Sequence, residues 1–470
     1  MNRSYLVAAA LGLALAGTAA QAADPLPDSL SLGGVTLYGT IDIGYAYQNH
    51  GVPSNGQLPG NLEYQSFTTT RNFAGSVSTV ASSGLEQSKI GIRVAQPVAD
   101  DWSLVGRVET GINPTSGQLT DACASLASNA GKAQGSQTAN ADSSRCGQFF
   151  NAQAFGGAAS PTVGQLTIGR HNSLMLDALA SYDPQALSYA FSFLGYSGFT
   201  AGAGSTEAAR WNNSVRYSYS NPQFHLAALY SSGSQDGGLL DNAFGANLGF
   251  VVQGLSIDAV YQRANGAVNL RSSFDDPTAG SGNPPVPAGG LAAYISDDTS
   301  YSLMAKYSFD LADKDKFNVY AGYSHIEKAN SSDANGNAQG DYLINIGINI
   351  NNSAEYNVLW VGGRYIASGG LNLVAAYYHI SQNSWTIGLG TNGTQGVGCV
   401  NAGLLCSGDF TEASFVIDYV FNKHYDLYAG VNYSQVTDGL ASGFVGTPGA
   451  NATTGSQSQT TFMVGGRVKF

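Results

Sequence analysis

The sequence predicts an all-β chain that closes into an antiparallel transmembrane barrel of sixteen strands. In many short segments apolar and polar residues alternate with a period of two, which indicates strands with one apolar and one polar face. Charged residues are only 11% of the chain, whereas soluble proteins carry roughly 25%. No apolar run reaches the roughly 18 residues that a membrane-spanning helix requires. The chain is therefore predicted to cross a membrane with strands.

Residues 1–22 are predicted to be a secretory signal peptide. Arg3 precedes an apolar stretch from Tyr5 to Ala16, and an Ala-Gln-Ala sequence at 20–22 precedes the expected cleavage site. An N-terminal anchor helix is the less favoured alternative because the apolar stretch is short. Residues 23–470 then form one barrel domain. Losing one arginine changes the net charge from −12 to −13, which argues against nucleic acid as a partner.

The alternating segments are taken as strands in chain order. The first, VTLYGTIDIGYAY, places Leu37, Ile43 and Tyr45 on one face, with Thr36 and Asp42 on the other. The predicted strands are 35–47, 86–97, 101–113, 148–158, 163–171, 209–219, 223–232, 243–252, 254–263, 298–309, 315–328, 355–366, 371–382, 412–422, 424–435 and 458–470. The 148–158 segment is weakly patterned, and YLINIGINI at 342–350 is a further strand candidate within a loop. An even number of strands is expected.

Two features favour a membrane barrel over a soluble β-sandwich, which has the same period of two. Short turns such as PVADDW alternate with long loops rich in Gly, Ser and Asn, as in outer-membrane barrels. Aromatic residues also recur near the ends of the apolar faces, as expected for girdles at the membrane interfaces: Tyr45, Trp102, Tyr217, Tyr219, Phe309, Trp360 and Tyr433.

The last strand is predicted to pair with the first, because in hydrocarbon every backbone donor and acceptor needs a partner. It continues to Phe470, with Phe462, Val464 and Val468 on its apolar face. Arg467 and Lys469 lie on the opposite face. They are therefore predicted to face a water-filled lumen.

Several segments, in this order, resemble the Gram-negative general porins, which are trimeric sixteen-stranded barrels of the outer membrane. They include VTLYGTIDIGY, SKIGIRV, GQLTIGRHNS, RWNNSVRYSYSNPQF and the final GGRVKF, and the resemblance covers nearly the whole mature chain. It implies an outer-membrane general diffusion porin for passive passage of ions and small hydrophilic solutes, exported through the periplasm, without a cofactor. The implied partners are two further copies in a homotrimer, outer-membrane lipid and lipopolysaccharide, and the assembly machinery that recognises a C-terminal Phe strand.

The resemblance also implies that the third extracellular loop, residues 172–208, folds inward to form a constriction. It assigns Lys89, Arg170 and Arg210 to a basic wall, and inward parity adds Arg93 and Arg107. The opposing acids of the loop are Asp177, Asp183 and Glu207, although the acidic PEFGG segment of one branch of the family is absent. Charges at the narrowest point set ion selectivity. The waist is therefore expected to be less cation-selective than the net charge suggests, with the sign left open.

Four cysteines allow three pairings. Cys123–Cys146 and Cys399–Cys406 are predicted as disulfides, because local pairing needs the least chain rearrangement and the periplasm is oxidising. A zinc site is disfavoured since no C-x2-C pair occurs.

Two other functions are weighed against a general porin. A substrate-specific channel for sugars or carboxylates is the first, and an aromatic ladder from Tyr320, Trp360 and Tyr428 would favour it. An outer-membrane enzyme is the second. It would need a histidine beside a nucleophile, and His379 is inward by parity, but no nucleophile signature accompanies it. The sequence therefore predicts no enzyme.

Two short motifs carry little weight. GLGTNG at 388–393 matches a phosphate-binding pattern but lies in a predicted loop instead of between a strand and a helix. DANGN at 333–337 begins like a calcium loop, yet it lacks the glycine and the acid at the twelfth position that such loops need. A surface calcium ion is left open there, and no metal site is predicted.

Overall fold

The computed structural model describes residues 30–51, 76–129, 138, 145–195, 209–233, 241–270, 290–330, 338–339, 342–345, 348–350, 353–383, 387–389, 407–438 and 456–470. The predicted signal peptide, Glu207, the Cys399–Cys406 pair and the segment 333–337 lie outside these residues. Within the described ranges, no helix has the length and apolar character needed to cross a membrane.

Most of the described chain is β-strand. The strands are β1 (Leu30–Leu32), β2 (Val35–Gln48), β3 (Val77–Ser82), β4 (Lys89–Ala99), β5 (Trp102–Asn113), β6 (Gln118–Leu119), β7 (Gln153–Ser160), β8 (Gly164–Asn172), β9 (Arg210–Ser220), β10 (Phe224–Ser231), β11 (Ala243–Val252), β12 (Leu255–Leu270), β13 (Gly290–Asp310), β14 (Lys316–Asn330), β15 (Ala338–Gln339), β16 (Tyr342–Asn345), β17 (Ile348–Ile350), β18 (Ala354–Ile366), β19 (Leu371–Gln382), β20 (Ile387–Leu389), β21 (Gly408–Val420), β22 (Tyr425–Thr437) and β23 (Ser456–Lys469). The helices are α1 (Ala122–Asn129) and α2 (Leu174–Tyr182).

Sixteen strands close into one antiparallel barrel, as the sequence predicts. Their order is β2, then β3 with β4 as one interrupted strand, then β5, β7 to β14, β18, β19, β21, β22 and β23. Strand β23 pairs with β2, so that Thr40 faces Lys469 and Gln48 faces Thr461. The sheet therefore has no free edge between its first and last strands, as a lipid-exposed sheet requires.

Some strand bounds differ from the predicted ones. Strands β12 and β13 extend well beyond the predicted 254–263 and 298–309, and they remain paired there despite a bulge between Ala264 and Ala267. Six of the fifteen residues in the extensions ANGAVNL and GLAAYISD are Gly or Ala, so the alternation of large apolar side chains that marks a lipid-facing strand is weak there. The candidate strand at 342–350 is two short strands, β16 and β17, neither of which is a barrel strand.

The two faces of the wall have opposite chemistry. Outward side chains such as Leu104, Ile168 and Val464 are exposed, as lipid-facing residues of an isolated barrel must be. Inward positions are largely polar and buried. Trp360 is the exception to the predicted girdle: it is only 3% exposed and lies on the inner face, so its assignment to a lipid interface is wrong.

The second strand of the barrel is interrupted by a bend into the lumen. Ile43 pairs with Ser82 at the end of β3, whereas Thr40 pairs with Lys89 at the start of β4. The two β2 residues between them therefore face the six residues 83–88, which we call the inner bend. The surplus residues leave the plane of the wall.

The buried carboxylate of Asp42 holds the inner bend. Its Oδ2 accepts hydrogen bonds from the backbone N–H groups of Leu85 and Glu86, both at 2.8 Å. Its Oδ1 accepts the hydroxyl of Tyr428 at 2.6 Å. The bend is thereby tied to β22 as well as to β2.

Arg467 forms a network of ion pairs near the short-turn end of the barrel. The guanidinium of Arg467 contacts Asp426 at 2.8 Å, Asp418 at 3.3 Å and Glu86 of the inner bend at 3.8 Å. Because its side chain is only 12% exposed, this cation balances acids from two neighbouring strands in a partly desolvated place.

We expect Arg467→Met to lower the free energy of unfolding by about 1.5–3 kcal/mol, the range for charge-assisted hydrogen bonds. The substitution removes the arginine from Asp418 and leaves Asp426 with only Lys469, at 3.6 Å. Denaturant titration followed by circular dichroism measures this change. Arg263→Met is the matched control, since Arg263 is half exposed and pairs with Asp297 only at 4.0 Å. An equal loss in both variants would contradict the interpretation.

Candidate functional site

The loop after β8 runs along the inner face of the barrel. Ser173 caps the N-terminus of helix α2, and its Oγ accepts the N–H of Leu176 at 3.2 Å. Its apolar residues Leu174, Met175 and Leu179 are at most 2% exposed. They belong to one buried cluster with inward residues of the wall, among them Ala227, Leu229, Val260, Met304, Val358 and Trp360. The helix is therefore packed on the wall by an apolar core within the lumen.

Polar side chains of β18 and β21 fix the end of α2 and the chain after it. The indole Nε1 of Trp360 donates to the carbonyl of Tyr182 at 3.0 Å. The amide of Gln185 donates to the hydroxyl of Ser414 at 2.9 Å. Both anchors bond a loop residue to an inward side chain, so they set the distance between the loop and the wall.

Asp183 organises the turn that follows the helix. Its carboxylate accepts the hydroxyls of Tyr378 at 2.6 Å and Ser192 at 2.7 Å, and the N–H groups of Gln185 and Leu187. Burial raises the pKa of Asp183, and these four hydrogen bonds oppose that rise. At 2% exposure the side chain is part of the loop anchor.

The tip of the loop rests on the inner bend. The carbonyl of Gly84 accepts the hydroxyl of Ser188 at 2.6 Å and the N–H of Ala190 at 3.1 Å. Phe191 packs edge-on against Tyr428. A side chain at Gly84 would meet the Tyr428 hydroxyl within 2.1 Å, so glycine is needed for this close approach. The described part of the loop thus follows the wall from β10 to β22.

The wall opposite the loop carries a charged cluster on β4 and β5. Lys89 contacts Glu86 at 2.9 Å, and Arg107 contacts Glu109 at 2.7 Å. Tyr38 joins the second pair, accepting from Arg107 at 2.6 Å and donating to Glu109 at 2.9 Å. The other oxygen of Glu86 lies 3.8 Å from the guanidinium of Arg467, so this carboxylate is placed between two cations.

Arg170 and His171 are both buried because a bulge interrupts the alternation of β8. Gly169 has φ +142°, a conformation that favours glycine, and the register with β9 shifts between Gly169 and His171. Arg170 donates to the carbonyl of Asn151 at 3.0 Å and to the side chain of Asn212. The bulge therefore places this guanidinium inside the barrel.

Two more arginines lie near Arg170. Arg210, at the start of β9, is 6% exposed, and its Nε and Nη1 have no hydrogen-bond partner among the described residues. The charges of Arg145 and Arg170 both act on it. Arg145 comes from the loop between β5 and β7 and donates to Gln87 of the inner bend at 2.5 Å.

A disulfide fixes the backbone beside Arg145. Cys123 and Cys146 are bonded, which confirms the first predicted pair. The carbonyl of Arg145 also accepts the N–H of Ala122 at 2.8 Å, at the start of α1. The disulfide and this hydrogen bond therefore fix the loop between β5 and β7 at the position of Arg145.

Comparison with known proteins identifies the family. A family profile described as Gram-negative porin matches residues 7–439. The chain belongs to the Gram-negative porin family.

Solved structures agree with this assignment in fold. The porin is similar to the anion-selective porin from Comamonas acidovorans, with TM-score 0.57 and 14% identity over 93% of this chain and 99% of that one. It is also similar to OmpT, an outer membrane protein of Vibrio cholerae, with TM-score 0.52 and 14% identity over 94% and 100% of the two chains, including a trimer form. At this identity the likeness shows the fold alone. No curated protein sequence matches the chain.

The porin is an outer-membrane diffusion channel, and its family and fold indicate a channel rather than an enzyme. His379, the histidine considered for catalysis, lies 3.4 Å from Asp409. Within the described ranges, no three His, Cys, Asp or Glu side chains are grouped so as to hold a metal ion.

The predicted site residues fall into separate groups in the porin. Lys89 and Arg107 share one cluster, and Arg170 and Arg210 share another. Arg93 is exposed and is the register partner of Arg107. Of the loop acids, Asp177 contacts Arg216 of β9 at 2.5 Å and Asn172 at the end of β8 at 2.9 Å. Asp183 is buried as described above, and Glu207 lies outside the described residues.

Sequence reasoning missed the acids nearest to these cations. Glu109 alternates with Arg107 on the inner face of β5, and this parity was the signal that could have found it. The alternation predicts Glu86 as the first residue of the strand 86–97, and it places Arg145 in the loop between the predicted strands 101–113 and 148–158. Neither has a local pattern that predicts its place, since each depends on a contact made in the folded barrel.

We expect Asp183→Ala to loosen the loop, because the hydroxyls of Tyr378 and Ser192 would lose their buried acceptor at a cost of about 1–3 kcal/mol. Single-channel recordings should show larger open-channel current noise and a higher mean conductance. Asp313→Ala, on an exposed turn, is the control and should behave as the unmodified channel. Recordings from a folded Asp183→Ala barrel that match the control would show that this anchor does not set the aperture.

Proposed function

We propose that the porin is a general diffusion channel whose aperture lies between the inward loop and the wall formed by β4, β5, β8 and β9. The single observation that carries this proposal is the course of the loop, which packs on the other strands by its apolar core and by Trp360, Tyr378 and Ser414. The lumen of a sixteen-stranded barrel is otherwise a wide aqueous channel. Because the loop is fixed along most of the barrel wall, the passage left for solutes lies between the loop and the basic strands.

The inward aromatic residues support a general channel over a substrate-specific one. Trp360 bonds the backbone of α2, and Tyr428 bonds Asp42 and packs against Phe191. They hold the loop and the inner bend in place, so they are not free to form a stacking ladder for sugars. Passage is then governed mainly by size and charge.

The described charges of this passage are predominantly basic, which supports a preference for anions. The cations on or next to this wall are Lys89, Arg107, Arg145, Arg170, Arg210 and Arg216, whereas the described acids there are Glu86, Glu109 and Asp177. The acidic net charge of the chain has less effect, because charges more than about 8–10 Å away are screened at physiological salt. Charges at the waist meet every passing ion.

The charge reversal Lys89→Glu should therefore move selectivity toward cations. The substitution changes the charge at this position by two units. For an ion about 8 Å away in water, this alters the free energy by about 1 kcal/mol, and screening by salt reduces the effect. The anion-to-cation permeability ratio should therefore fall about two- to fivefold. The reversal potential in a salt gradient measures this ratio.

The matched control for the selectivity experiment is Lys314→Glu, which makes the same charge change at an exposed short turn. It should leave the reversal potential nearly unchanged. Equal shifts in the two variants would mean that Lys89 is not at the waist.

We further propose that the porin is a homotrimer in the outer membrane, in contact with lipid and lipopolysaccharide, after signal-peptide export and insertion by the assembly machinery. The family, the trimer form described for OmpT, and the exposed apolar outer faces of β2 and β23 support this assembly. The second cysteine pair, Cys399–Cys406, is proposed to close another external loop.

The trimer should resist SDS until it is heated, because the exposed apolar outer faces of β2 and β23 would be buried between subunits. Electrophoresis of unheated and boiled samples should show a shift from about three times the monomer mass to the monomer. Light scattering in mild detergent provides an independent mass. A monomer mass in detergent, with no heat-dependent shift, would contradict this assembly.

A further inference from the structure

A polar cavity lies beside the loop, where α2 faces the inner side of the wall. It has a volume of about 320 Å³ and lies between α2 and strands β9 to β13. That volume is at the lower end of the range of small-molecule sites. Leu174, Ala178 and Tyr182 of α2 form one side of the cavity, and polar inward residues of the wall form the other.

The two carboxylates of this cavity are already engaged. Asp177 contacts Arg216 at 2.5 Å. Asp258 accepts from His225 at 2.8 Å through Oδ2 and from Asn247 through Oδ1. These bonds hold the side chains in place, so the cavity is preorganised, and neither acid has an oxygen left without a donor.

Lys306 is the cation of the cavity without an acid partner. Among the described residues, no carboxylate lies within ion-pair distance of its ammonium group, which lies 5.7 Å from the centre of the Tyr182 ring. The Tyr182 hydroxyl is itself bonded to Ser256 at 2.5 Å, which fixes the ring. A cation held against an aromatic ring in a half-enclosed site retains donors for an anion.

We propose that this cavity is a binding subsite for a small organic monocarboxylate, distinct from the aperture. The ligand carboxylate accepts hydrogen bonds from Lys306, and its apolar body lies on Leu174, Ala178 and the Tyr182 ring. One unpaired cation suits one carboxylate, since a second negative charge would lie near Asp177 or Asp258. The inference rests on the proposed function in that the ligand reaches the cavity through the channel.

Equilibrium dialysis of the detergent-solubilised full-length protein with radiolabelled benzoate tests the proposal without requiring ion conduction. Benzoate should bind saturably. Benzamide, its neutral isostere, and inorganic phosphate, an anion without an apolar body, should compete at least about tenfold less well. Lys306→Gln should weaken benzoate binding at least about tenfold, while Lys306→Arg should retain most of it.

Lys316→Gln is the matched control, because Lys316 lies on the next strand, is exposed, and does not line the cavity. Its affinity for benzoate should equal that of the unmodified protein. Equal affinity in Lys306→Gln, or equal competition by benzamide or phosphate, would overturn the proposal. Bilayer conductance of the same preparations separates the two hypotheses: a conducting channel that binds no benzoate refutes the subsite alone, and a benzoate-binding barrel that does not conduct refutes the channel alone.

Discussion

The position of both sides of the aperture depends on one buried carboxylate, that of Asp42. It accepts the two N–H groups that turn residues 83–88 into the lumen and the Tyr428 hydroxyl from the far end of the chain. Two residues of β2 face six residues at this point, so the inner bend has few ladder hydrogen bonds of its own. Buried backbone groups need partners, and Asp42 supplies them.

The inner bend also contacts the loop, the start of β4 and the loop that carries Arg145. The carbonyl of Gly84 accepts a hydrogen bond from the tip of the loop, and Gln87 accepts one from Arg145. Glu86 forms an ion pair with Lys89 and lies 3.8 Å from Arg467. The tip of the loop and part of the charged wall are thus held by the same six residues. A displacement of the bend would move the loop anchor and the charges together, which explains why a wide barrel can hold a narrow and well-defined passage.

The strand pattern could be predicted from sequence because lipid and water act on alternate side chains of each strand. The sixteen strands, their order and the closure by β23 follow from that local signal. The inner bend could not be predicted from sequence, because VASSGLEQSK has the Ser and Gly content of a loop and is followed by a regular strand. The burial of Asp183 and the entry of Arg145 depend on contacts with Tyr378 and Gln87, residues 195 and 58 positions away. No periodicity records such contacts.

Single-channel conductance and reversal potential of Asp42→Ala, compared with Asp42→Asn, test the dependence on this carboxylate most directly. Circular dichroism should first establish that both variants are folded barrels. The account predicts that Asp42→Ala has higher conductance and weaker ion selectivity together. It also predicts a smaller change in Asp42→Asn, which keeps one acceptor oxygen for the inner bend. A folded Asp42→Ala channel with unchanged conductance and reversal potential would contradict it.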